Sequence, residues 1–121
     1  MTIKIPGLDV EKGLDLYDNE VDIYLTVLRS FAAHTPAVLE KMRTVTEETL
    51  KDYQIRIHGI KGTSINIGAE ETRITALKLE AMAKAGDIFG IQAQNGAFLK
   101  QTDELLANID KWLKEYDSKA N

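Results

Sequence analysis

Apolar residues recur three or four positions apart along almost the whole chain, and only two prolines, Pro6 and Pro36, interrupt the pattern. That spacing places them on one face of an α-helix, whereas a half-buried strand needs alternation of period two. No such alternation survives beyond a few residues. The chain is therefore expected to be all-α: an antiparallel four-helix bundle with a short helical extension at its N-terminus.

Local signals divide the pattern into elements. Asp9 is a good N-cap for a short first helix. The pair Asp18-Asn19 reads as a turn before a stripe of Val21, Tyr24, Leu25, Leu28, Phe31 and Ala32. Thr35-Pro36 reads as an N-cap followed by an N1 proline, so a second helix starts there or the first restarts with a kink. Its apolar face continues through Val38, Leu39, Met42 and Val45. Thr46-Glu47-Glu48 supplies cap and first-turn acids for a central helix with the core stripe Leu50, Tyr53, Ile57, Ile60, Ser64 and Ile67. Gly68 is its expected stop. The next helix runs from about residue 70 to 85, with Ile74, Leu77 and Ala81 expected inward. Gly86-Asp87 stops and restarts the chain. The last helix carries Phe98, Leu99, Thr102, Leu105, Leu106, Ile109, Trp112 and Leu113, and Gly90 with Asn95-Gly96 predicts a bend or late start in its first half. The whole chain, 1–121, reads as one domain with its core at about 8–116 and a frayed tail at 117–121.

Composition narrows the function. There are no cysteines among the 121 residues, which excludes disulfides, thiolate metal sites and cysteine nucleophiles and suits a reducing, cytoplasmic setting. The formal net charge of −4, with both signs interspersed, argues against general nucleic-acid binding. No apolar run approaches the ~18 residues of a membrane span, and no signal-peptide pattern opens the chain. His34 and His58 are too isolated for a metal site. His34, at a helix junction, suits a surface or capping role.

His58 is the candidate for chemistry. At ~100° per residue it points ~130° away from the core direction of the central helix, and Gly62 points ~170° away. His58, Lys61 and Gly62 share one patch, since positions three and four apart are neighbours on a helix. The patch combines a nucleophile, a cation suited to an anion, and open space. Glycine inside a helix costs roughly 1 kcal/mol relative to alanine, so its place beside the histidine asks for a reason. Ile55 and Ile65 also fall on the outer half and would frame the histidine as a small apolar platform. By residue type alone, an ordinary surface histidine is an equal alternative. Ser64, on the core stripe, is expected to bond back to a helix carbonyl.

The run His58-Gly59-Ile60-Lys61-Gly62-Thr63-Ser64-Ile65-Asn66-Ile67-Gly68-Ala69 resembles the active-site helix of histidine phosphotransfer domains, whose pattern is H-x-x-K-G-x-S or a close variant. Ile5-Pro6-Gly7-Leu8-Asp9-Val10-Glu11 is similar to their entry segment. Tyr24-Leu25-Thr26-Val27-Leu28-Arg29-Ser30-Phe31 is similar to their second helix. Leu79-Glu80-Ala81 and Ala85-Gly86-Asp87 are similar to the end of the helix after the histidine. The resemblance covers most of the chain.

The resemblance implies a phosphoryl carrier of a multi-step two-component pathway, without kinase activity of its own. His58 would be the phosphorylated nucleophile, Lys61 would neutralise phosphoryl charge, and Gly62 would leave steric access. Ile55, Ile65 and Gly59 would meet the partner, although Gly59 is not required by the pattern. Glu80 and Lys84 would lie near the histidine as polar support; a solvated ion pair one turn apart explains them equally well. The chain would need no cofactor or metal, because the receiver domain of a response regulator or hybrid sensor kinase brings the phospho-aspartate and Mg²⁺. A cytoplasmic monomer is expected. Two rivals stand beside this reading: an interaction module that keeps the fold and never carries phosphate, and the phosphorylation domain of a chemotaxis-type kinase, charged from ATP.

Overall fold

The computed structural model describes residues 2–120, leaving Met1 and Asn121 outside the description. Among these residues there are five helices and no strands: α1 (Val10–Asp15), α2 (Val21–Lys41), α3 (Leu50–Ile67), α4 (Glu70–Lys84) and α5 (Ile88–Ala120). α3 packs most extensively on α4, α4 on α5, and α2 on both α3 and α5, while α1 lies against α3 and α2. One continuous core of buried side chains joins all four longer helices and reaches back to Ile3 and Ile5, ahead of the expected start at residue 8.

Several of the expected boundaries hold for the reasons given. The Asp9 side chain accepts from Lys12 N at 3.1 Å and caps α1. Asp18 and Asn19 both adopt positive φ and make the turn into α2. Gly68 ends α3 in the left-handed region, φ 79°, where an added Cβ would run into the Asp9 carbonyl. The Gly68 carbonyl in turn accepts from Asp9 N at 2.8 Å, tying the entry of α1 to the exit of α3. Gly13 lets α1 sit this close: a Cβ there would lie 2.6 Å from the Tyr24 ring and 2.9 Å from the Ile67 carbonyl oxygen.

Other expectations need correcting. Pro36 neither starts a new helix nor ends one, because α2 runs unbroken through it. α3 starts at Leu50 rather than in the Thr46-Glu47-Glu48 run. Thr46 and Thr49 instead bond each other's backbone N–H, at 3.3 and 2.9 Å, and close a turn ahead of the helix. Gly90, Asn95 and Gly96 do not delay α5. Asp87 caps it through Gly90 N at 2.9 Å, and Asn95 is a core residue that accepts from Tyr53 Oη at 2.9 Å and donates to the Met42 carbonyl at 2.7 Å. The expected frayed tail continues as helix to Ala120, with Asp117 paired to Arg29 at 2.6 Å. Ser64 is fully buried on the core stripe, but its hydroxyl has no hydrogen-bond partner, so the expected back-bond is not made.

The largest correction concerns α4. Ile74, Leu77 and Ala81 face outward, and the buried face is Thr72, Ala76, Leu79, Glu80 and Ala83. That face carries the small residues Thr72, Ala76 and Ala83, and α4 packs on both α3 and α5. The rotation also carries a carboxylate into the interface, where it meets α3.

Candidate functional site

Glu80 is the hinge of the site. Its side chain is 3% exposed, and its two oxygens take two donors from α3: Oε2 lies 2.5 Å from His58 Nδ1, and Oε1 lies 2.5 Å from Lys61 Nζ. Burial alone would raise the Glu80 pKa. The hydrogen bonds from Lys61 and His58 outweigh it and hold the carboxyl below its ordinary 4.5, with Lys84 adding a weaker favourable field. Glu80 is therefore ionised at neutral pH.

An ionised carboxylate can only accept hydrogen bonds. His58 Nδ1 must then carry the ring proton, and in the neutral ring the Nε2 lone pair is free. The His58 side chain is 67% exposed, so this lone pair meets solvent. The outer face of α3 thus offers an imidazole whose tautomer and orientation are set from beneath by a buried group. An outward lone pair with a counter-charge behind the ring suits the imidazole to nucleophilic attack.

Lys61 belongs to the same unit. Its side chain is 23% exposed, with the stem against the helices and the ammonium on Glu80 rather than pointing into solvent. Lys84 is exposed and forms no ion pair among the described residues, so the solvated Glu80–Lys84 pair is not the arrangement adopted.

Around His58 the surface is open. A Cβ added at Gly62 or Gly59 would meet nothing within 4 Å. Ile55 is 65% exposed, and Ile65 is exposed on the same outer half of α3. Ile74 and Leu77 are also exposed, on α4. Leu77 stands one turn before Glu80 on α4. The stripe Ile74, Leu77 and Ala81 is one face out of phase with the packing of α4, which masks the burial of Glu80 in the sequence. The signal available was the sequence Leu79-Glu80 on a helix of small residues.

His34 is separate from the site. It is exposed on α2, and its Nδ1 donates to the Ser30 carbonyl at 2.9 Å within the same helix. No group of three potential metal ligands occurs among the described residues. Among them no helix is long and apolar enough to cross a membrane. No protein-family model, curated protein or solved structure matches the chain.

Proposed function

We propose that this chain is a histidine phosphotransfer domain, a helical bundle whose four longer helices carry one phosphoryl-accepting histidine between receiver domains. The observation that carries the reading is the His58–Glu80 pair: an exposed imidazole whose Nδ1 is held by a buried carboxylate, leaving Nε2 outward beside Gly62.

The geometry supports an in-line transfer. The Nε2 lone pair attacks phosphorus of a receiver's aspartyl phosphate in line. The N–P bond forms as the P–O bond to the aspartate breaks, and the aspartate leaves as a carboxylate. The ring keeps its Nδ1 proton and becomes positively charged. Glu80 is the counter-ion for that charge. Only the strengthening of its hydrogen bond between ground and transition state accelerates the step. A charge-assisted hydrogen bond contributes roughly 1.5–3 kcal/mol in all, which bounds this gain. A second receiver aspartate reverses the sequence and takes the phosphoryl group away. Each receiver supplies its own aspartate and Mg²⁺, so this chain supplies the nucleophile and the surface around it. A cytoplasmic monomer that docks receivers through Ile55, Gly59, Gly62 and Ile65 fits the reading.

The test is labelling. A receiver phosphorylated at aspartate is mixed with the chain, and acid-labile, base-stable phosphate on the chain is measured. Rapid label from the receiver supports the reading. Label only from an ATP-loaded kinase catalytic domain would make the chain a chemotaxis-type phosphorylation domain. No label from either would make it a phosphate-free interaction module.

A further inference from the structure

Lys61 lies where a cation could meet phosphoryl oxygens directly, yet its ammonium is engaged with Glu80 at 2.5 Å. We propose that Lys61 is a positioning residue that acts on His58 through Glu80, keeping the carboxylate ionised and in place so that the proton stays on Nδ1 and the lone pair on Nε2. The inference rests on the reading of His58 as a phosphoryl acceptor but can be tested without any phosphoryl transfer.

The Glu80 side chain is 3% exposed, and among the described residues its only hydrogen bonds and ion pairs are those from His58 and Lys61. A buried carboxylate is costly unless paired and hydrogen-bonded. Without Lys61, one oxygen loses its donor and three relaxations remain. Glu80 can take up a proton and donate to Nδ1, which moves the ring proton to Nε2. It can draw a second proton onto the ring, which leaves no lone pair at all. It can swing out to water, which frees the ring to adopt the Nε2–H form preferred by unrestrained imidazole. Every one of these empties the same state, the neutral ring with its lone pair on Nε2. Lys61 therefore keeps the nucleophile available before any phosphate arrives. A lysine that served only as a phosphoryl clamp would leave the resting ring unchanged.

The decisive measurement is the ¹⁵N spectrum of the His58 ring in the unphosphorylated chain, in the wild type, Lys61→Met and Lys61→Arg, all at one pH above neutrality. The Nδ1–H tautomer is expected to dominate in the wild type, to become the minority form in Lys61→Met, and to return in Lys61→Arg. Thermal melts of the three proteins separate this from unfolding. A second arm uses phosphoramidate as a partner-independent donor: Nε2 attacks phosphorus, the P–N bond breaks, and ammonia leaves. Lys61→Met is expected to slow labelling at least fivefold in the wild-type background and less than twofold in a Glu80→Gln background, the non-additivity expected of groups acting as a unit. An unchanged tautomer in Lys61→Met, or equal slowing in both backgrounds, overturns the proposal. A chain that no donor labels would defeat the phosphotransfer reading, and the tautomer spectra would still decide the role of Lys61.

Discussion

Gly62 offers a substitution whose effects on stability and on function should have opposite signs. It lies inside α3, and a Cβ there meets nothing within 4 Å. Replacement by alanine removes the helix penalty of glycine without steric cost, a gain of up to about 1 kcal/mol. For a domain of this size, that raises Tm by roughly 4 °C. Glutamine has helix propensity close to that of alanine and should retain at least ~0.5 kcal/mol of the gain. Its side chain leans over the turn N-terminal to its own Cα, the turn that carries His58, whose Cβ is about 5–6 Å from that of residue 62. Phosphoryl transfer from a receiver should therefore fall at least tenfold in Gly62→Gln, equivalent to about 1.4 kcal/mol of lost approach. Gly96 is the control. It is helical, exposed and equally open, on α5. Gly96→Gln should match the gain in Tm and leave transfer unchanged. Calorimetry and single-turnover labelling are the two assays. Full transfer in Gly62→Gln, or a fall in its Tm, would refute the claim that this glycine exists for access.

Three further outcomes follow from the same contacts. Asn95→Leu strands the buried Tyr53 hydroxyl and the Met42 carbonyl and should cost about 2–4 kcal/mol by urea unfolding, with helix content retained in the folded state. Ile55→Lys or Ile65→Lys should weaken receiver binding, read by titration calorimetry, while the far-UV circular dichroism stays unchanged. The Glu80 carboxyl titrates below its ordinary 4.5 in the folded chain. Its contribution to stability is thus fully present above pH 4.5 and is lost as pH falls through the lower folded value. Urea unfolding across that acid range should show a steeper loss in wild type than in Glu80→Gln, and parallel curves would mean that the carboxylate is not selectively stabilised.

The helical class and the outward aim of His58 were legible in the sequence because both rest on local spacing. Tyr53, Ile57, Ile60, Ser64 and Ile67 are all buried as the stripe requires, and that stripe leaves position 58 outside. Turn and cap chemistry at Asp9, Asp18-Asn19, Gly68 and Gly86-Asp87 was equally local. What escaped was tertiary. The phase of α4 follows the burial of Ala76, Leu79 and Ala83 and the pairing of Glu80 with α3, not its larger apolar residues Ile74 and Leu77. Asn95 looked like a helix breaker until Tyr53 and Met42, far away in sequence, supplied its partners. The same holds for the C-terminus of α3, where the hydroxyls of Tyr17 and Tyr24 donate to the carbonyls of Asn66 and Ile67, each at 2.8 Å. Lys61 was recognisable as a cation beside the histidine, but its engagement with a buried carboxylate on another helix was not.

The central claim is that His58 is the one residue that carries phosphate. The most direct measurement is acid-labile labelling from a phosphorylated receiver of the wild type, His58→Gln and His34→Gln, with the modified residue located by neutral-pH mass spectrometry. The account predicts label on His58 in the wild type and in His34→Gln, and none in His58→Gln. Label persisting in His58→Gln, or located anywhere other than His58 in the wild type, would contradict it.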